Sequence, residues 1–368
     1  MDTKRLIALL LSVSLLAGAG LAIYYSASDK RTADRTALTA AQAVSVRGLI
    51  GSEKEAFFTD AQVVAALARH GVTVTFEKVG SRQQALREDL KNYDFAFPAG
   101  VPAALKIQQI SGVRQSYTTF FTAMAIASWR SLLPVLEANG LVERVGDYHT
   151  FDMAAYLALV EKGVRWRDLK NNSAFQIARS VTISSTDART SNSAAMYLAL
   201  ASYSANGMNI LQNTQQADKV APLMAELFLR QGLQERSSSG PFEDYVALGI
   251  GKTPLVMIYE SQFLEFMAAR KTRNPEMVLL YPKPTVFTKH VLIPFTPAGQ
   301  RLGELLANDP DLQRLAARQG YRTANPDLFA AYLKDAALDA PLNLIDVVDP
   351  PTFELLERLI EALDQRMK

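Results

Sequence analysis

The sequence predicts an α/β protein built on parallel-type sheets covered by helices on both faces. Two observations carry this. From residue 43 to 97, strand-length apolar runs alternate with helical periodicity in the order β-α-β-α-β, and successive parallel strands require right-handed crossovers. From residue 122 onward, further apolar runs of strand length alternate with longer amphipathic stretches. With 368 residues, 49% of them hydrophobic, the chain is long enough for about two domains or one large one.

The elements follow in order. The first strand, 43–49, ends at Gly51-Ser52. A helix over 54–70 places Phe57, Ala61, Val64, Leu67 and Ala68 on one face, and Gly71 stops it. Val72, Val74 and Phe76 alternate with polar residues in a second strand that ends at Gly80-Ser81. A short helix over 82–90 leads to a third strand at 93–97 and a Pro98-Ala99-Gly100 loop. An apolar strand is expected at 122–127, then two or three helices, the clearest at 152–162 with Gly163 after it. A strand at 180–184 precedes a helix opened by Ser191-Asn192-Ser193 and running to about residue 204. Residues 222–230 and 242–248 read as helices, 255–259 as a buried strand, and 277–281 and 291–295 as two more. Amphipathic helices at 297–307, 311–318, 326–334 and 353–367 fill the C-terminal part.

Composition excludes several chemistries. The chain has no cysteine, which removes disulfides, Cys-based zinc sites, iron–sulfur clusters and a thiol nucleophile. A net charge of +2, with both signs interspersed, gives no footprint for nucleic acid. His70, His149 and His290 are too far apart in sequence for a metal motif. Asp147, His149 and Asp152 read as a solvated loop, and Trp129 and Trp166 as packing residues. Ser237 to Gly240 lacks the setting of a hydrolase nucleophile, and Gly249-Ile250-Gly251-Lys252-Thr253 lacks the glycine spacing of a phosphate loop. No catalytic residue and no cofactor is expected.

Residues 1–28 read as an export leader. Lys4 and Arg5 precede an apolar run from Leu6 to Ile23, at the lower edge of what spans a bilayer. Ser26 and Ser28 suit a cleavage site, whereas Tyr24 and Tyr25 suit the outer interface of a retained anchor, so signal peptide and anchor both stand. Either way the basic end stays in the cytoplasm and the rest of the chain lies outside it, in the periplasm or at the cell surface. Residues 29–42 are polar and Ala/Thr-rich, as a tether would be.

Four stretches together resemble one family. They are the two strand–Gly-Ser–helix units at Gly51-Ser52 and Gly80-Ser81; Val181 to Asp187 with Ser191-Asn192-Ser193; Pro254 to Tyr259; and the closing run through Leu280-Tyr281-Pro282, Val291 to Pro294, Asn308 to Gln313 and Gly320-Tyr321-Arg322. In order and spacing they look like a type II periplasmic solute-binding protein of ABC importers, closest to the branch that binds molybdate, sulfate and phosphate. The resemblance covers roughly residues 43–323. It implies two α/β lobes with parallel-type sheets and a two-strand hinge, one lobe from 43–121 plus 289–368 and the other from 122–288. It also implies a small polar or anionic solute held in the interlobe cleft and an ABC permease as partner. A membrane-tethered sensor or scaffold on the same fold is the alternative, and an enzyme on it the third.

The candidate ligand residues are Ser52, Glu53, Lys54, Ser81, Thr186, Ser191, Asn192, Ser193 and Tyr259. Ser52 and Ser81 stand where a strand turns into a helix, so hydroxyl and unpaired backbone N–H groups together can receive an anion without a cationic side chain. The same serines suit ordinary helix caps. Thr186, Ser191, Asn192 and Ser193 supply more donors than one cap needs, and Tyr259 matches the position where the family places a tyrosine hydroxyl near its ligand. Glu53, Lys54 and Glu260 depart from an all-neutral oxyanion site. A carboxylate aimed at a dianion repels it, so these acids either point away or serve a ligand with positive charge or several hydroxyls.

Overall fold

The computed structural model describes residues 43–173, 175–232, 234–237, 240–270, 273–344 and 346–367; the leader and tether expected over 1–42 lie outside them. Strand β1 (Val44–Ile50) pairs in parallel along its whole length with β2 (Val72–Lys78). Between them the helix expected over 54–70 is broken. A 3-10 turn, Ser52–Lys54, runs into α1 (Glu55–Thr59), and α2 (Ala61–Arg69) starts afresh after Asp60. Asp60 is extended, and its carboxylate accepts the Gln62 and Val63 amides at 2.7 and 3.2 Å, the capping role aspartate favours over mid-helix. The break rotates the buried face to Val63, Ala66 and Leu67 and leaves Val64 exposed.

After β2 the helix α3 is only Ser81–Ala85, shorter than expected, and a 3-10 turn at Leu90–Asn92 precedes β3 (Phe95–Phe97), which pairs in parallel with β1. Helix α4 (Val101–Ser111) was not anticipated. Its signals were present: Gly100 at φ 93°, Pro102 in the first turn and Gly112 at φ 74° after the end. Val46 and Ile50 of β1 face one core with Phe57, Phe58 and Leu302, whereas Leu49 faces another with Ala103, Ala104 and Ile107. Alternation along the strand therefore buries both faces of this sheet.

Strand β4 (Tyr117–Trp129) is twice the expected run and passes from one lobe to the other. Next come α5 (Leu133–Ala138) and, in place of a further expected helix, an antiparallel hairpin of β5 (Val142–Val145) and β6 (Tyr148–Asp152), turned at Gly146 with φ 57°. Helix α6 (Met153–Glu161) is capped by Asp152, which accepts the Ala155 amide.

The strand expected at 180–184 is reduced to single bridges, Arg165 with Ser180 and Ser184 with Val256. Val181 and Ile183 enter the core, but the Ser185 amide is taken by the Gln231 side chain at 2.8 Å, which ends the pairing. Helix α7 (Asn192–Ala205) starts where expected. Helix α8 (Thr214–Leu229) starts eight residues before Pro222, because Asn213 caps it by accepting the Gln216 amide and Ala217, Val220 and Ala221 extend its buried face. Then follow α9 (Gly240–Leu248), β7 (Val256–Tyr259), an unanticipated α10 (Glu260–Ala268), β8 (Met277–Lys283) and β9 (Phe287–Pro294). Helices α11 (Pro297–Asn308), α12 (Pro310–Arg318), α13 (Pro326–Ala336) and α14 (Phe353–Met367) complete the chain.

The strands join in the order β2-β1-β3-β9-β4-β8-β6-β5, with β7 also on β4. Strands β4 and β9 pair antiparallel from Tyr117 with Leu292 to Ala123 with Phe287 and form the two-strand hinge between two α/β lobes. Helix α14, expected with the first lobe, crosses to the second. Phe353 lies in the first lobe's core, but Leu355, Leu356, Leu359, Ile360 and Leu363 fill the core of α7 and α8, because the helix's apolar stripe faces them.

Candidate functional site

The carboxyl ends of β1, β2 and β7 and the start of α7 converge on one interlobe cleft of about 290 Å³, the edge where α/β sheets hold ligands. Ser52, Glu53 and Ser81 line it from the first lobe; Ser191, Asn192 and Tyr259 line it from the second. Lys54, Thr186 and Ser193 do not reach it and lie just beneath its walls. The lobes touch around the cleft. The Arg82 guanidinium donates to the Arg189 carbonyl at 3.2 Å, and a side chain at Gly80 would run into the Thr190 carbonyl oxygen.

The hydroxyls differ in what they can still offer. Ser81, 2% exposed, accepts the Ala99 amide at 2.8 Å, so its own proton remains to be donated. Ser191 occupies the N-cap of α7 without capping it: its Oγ bonds the Ser193 Oγ at 3.0 Å, which bonds the Thr186 Oγ1 at 2.9 Å. That buried hydroxyl chain leaves the first-turn amides of α7 without a side-chain cap, at the positive end of the helix dipole. The Tyr259 hydroxyl accepts from the Asn192 amide nitrogen at 3.1 Å; burial, and then the nearby Glu53, push its pKa well above the ordinary range and keep it a neutral donor. Ser52 stands exposed at the mouth.

The acids resolve differently from each other. Glu260 points away from the cleft: fully buried, it accepts the Arg322 Nε and Nη2 and the Tyr281 hydroxyl, each at 2.7 Å. Glu53 does line the cleft, with its side chain 7% exposed and its carboxylate folded over Gly51, where any Cβ would overlap it. It bonds the Lys54 ammonium. Lys54 is fully buried, lies 3.0 Å from the His290 Nδ1 and stands over the Phe97 ring at 4.9 Å. Burial lowers the Lys54 pKa and Glu53 works against that. Burial, and then Lys54, push His290 well below its ordinary value, so the neutral imidazole accepts at Nδ1.

Lys78, Gln83 and Arg236 also line the cleft and were not singled out from the sequence. Lys78 ends β2 two residues before Gly80, a position that could have flagged it. Arg236 comes from a loop with no local signal. A hollow of about 680 Å³ on the outside of the second lobe, lined by His149, Asp147 and Arg144 among others, lies apart from these residues and shares none of them.

No protein-family model and no curated protein matches the chain. Solved structures do. Over 88% of its length the chain is similar to the sulfate-binding protein SubI of Mycobacterium tuberculosis H37Rv, with a TM-score of 0.53, 15% identity and 99% of that protein covered. It is similar over the same share to iron-bound HitA of Pseudomonas aeruginosa, with a TM-score of 0.53, 12% identity and 98% covered. An ABC transporter structure from Clostridium perfringens gives 0.53, 11% identity and 100% covered, again over 88% of this chain. The likeness is one of fold: this chain has the two-lobed type II periplasmic-binding-protein architecture.

Proposed function

We propose that the protein is an exported solute-binding protein that closes its lobes on a small anionic solute and delivers it to an ABC importer. The observation that carries this is the composition of the cleft. Hydroxyls from both lobes, the uncapped start of α7, Lys78 and Arg236 face one hollow, and the one acid among the described lining residues is tied to a buried lysine. Donors without a net negative charge fit an anion. The similar proteins include a sulfate binder and an ABC transporter structure, which supports capture for transport rather than catalysis. The hinge strands β4 and β9 would carry the opening and closing. In this reading the protein works in the periplasm, and the leader directs it there.

The sensor or scaffold reading would be favoured by an apolar helix side open to a partner, whereas the apolar side of α14 is buried against α7 and α8. Thermal-shift measurements on the full-length protein with sulfate, phosphate, molybdate, sugars and amines test the proposal. An anion at 100 times its dissociation constant should add about 2.7 kcal/mol of stability. Stabilisation by an amine or sugar alone would refute the anion reading.

A further inference from the structure

Glu53 is the one acid among the described residues lining the cleft, and its neighbour Lys54 is fully buried and does not line it. We propose that Lys54 is a built-in counter-ion that cancels the Glu53 charge and thereby sets the specificity of the cleft for anions. The inference rests on the anion reading above and adds the residue that makes it workable.

The geometry restricts Lys54 to this role. Its side chain is fully buried, and its ammonium is enclosed by the Glu53 carboxylate, the His290 Nδ1 at 3.0 Å and the face of Phe97. Among the described residues Glu53 is the only acid it pairs with. A buried cation without a counter-charge is costly, so Lys54 needs Glu53 as much as Glu53 needs Lys54. His290 adds no charge: packed within 5.2 to 6.4 Å of the rings of Phe120, Tyr321, Phe97 and Tyr259, it is held neutral and only orients the ammonium.

The cancellation holds wherever the shared proton sits. Carboxylate with ammonium, or carboxylic acid with amine, presents the same zero net charge to the cleft. The field there is then left to Lys78, Arg236 and the start of α7. Lys78 is itself partly spent on the exposed Glu55 at 2.8 Å, so an uncompensated Glu53 would face little to offset it. The Glu53 carboxylate lies over Gly51 at the cleft wall and bonds Lys54 there.

The test is calorimetric titration of sulfate, phosphate and molybdate into the full-length wild type and into Glu53→Gln, Lys54→Met and the double variant. Lys54→Met should weaken the anion that the wild type binds by roughly ten- to a hundredfold, the scale of one unpaired charge a few ångströms away. Glu53→Gln should leave affinity unchanged or raise it, and the double variant should return to within about threefold of wild type. A loss confined to Lys54→Met, with rescue in the double variant, is not what a packing defect produces. Lys54→Met binding like wild type, or Glu53→Gln losing as much as Lys54→Met, overturns the inference alone. If Lys54→Met does not fold, the double variant decides: folded and binding like wild type supports the inference, folded without binding refutes it. A wild type that binds none of the three anions overturns the anion reading, and this inference with it.

Discussion

Arg82 and Glu357 form a two-bond ion pair across the lobe boundary, Nε to Oε1 and Nη2 to Oε2, each 2.6 Å. Arg82 follows the cleft residue Ser81 on α3. Glu357 belongs to α14, whose Leu356, Leu359 and Ile360 sit in the core of the second lobe. The same guanidinium reaches the Arg189 carbonyl, and Arg189 in turn pairs with Asp364 of α14 at 2.9 Å. One helix thus collects contacts from the chain segments on either side of the cleft.

Glu357→Ala should therefore lower stability. The pair is partly screened, with the arginine side chain 26% and the glutamate 16% exposed, so the expected cost is about 1 kcal/mol rather than that of a buried pair. Denaturant titration of the ligand-free protein measures it. A variant as stable as wild type would mean that the pair forms without contributing.

Ser81→Ala and Ser191→Ala separate binding from capping. Ser191 caps no amide but bonds the Ser193 Oγ in a buried chain, so its loss should cost the free protein about 1 kcal/mol while removing a donor from the cleft. Ser81 accepts the Ala99 amide, so its loss should cost both stability and binding. Each hydrogen bond lost to ligand in a desolvated site is worth about 1–3 kcal/mol. Calorimetry beside melting curves gives both numbers, and a Ser191→Ala protein that melts lower yet binds as before would make that serine a structural residue only.

How much was legible in the sequence follows from how local each signal is. The Gly-Ser ends of β1 and β2, the start of α7 and the end of β7 were readable because strand periodicity and turn chemistry lie within a few residues. The break at Asp60 was readable too, since an aspartate amid small apolar residues is a better cap than a mid-helix residue, but continuous periodicity hid it. Lys54 was not. The sequence places it with Glu53 among the ligand residues, and the His290 that it packs against instead lies 236 positions away. The failed strand at 180–184 has the same cause: Gln231, just past the end of α8, takes the Ser185 amide. Arg236 enters the cleft only because a loop folds back to it.

The leader makes a prediction about location. No helix among the described residues is long and apolar enough to cross a membrane, and the apolar run at residues 6–23 lies outside them. If residues 1–28 act as an export leader, Lys4 and Arg5 would hold its N-terminus in the cytoplasm. Protease added to intact spheroplasts should digest the protein, and removal of residues 1–28 should yield a cooperatively melting soluble product. Protection from the protease would contradict export.

The buried His290 predicts a pH dependence with a definite sign. Burial and Lys54 hold its pKa well below the ordinary 6.5, whereas the unfolded chain restores that value. Between the two values the unfolded state binds the extra proton, so stability rises with pH there. The contribution is complete above about pH 6.5 and is lost as pH falls below it, by at most about 1.4 kcal/mol per pH unit for one group. His290→Gln keeps an acceptor for the Lys54 ammonium but cannot titrate. Denaturant midpoints recorded between pH 7.5 and about pH 5 should therefore fall more steeply for wild type than for the variant. Parallel curves would show that His290 stays neutral in both states or protonates without cost, and the enclosure of the Lys54 ammonium by a neutral imidazole would have to be abandoned.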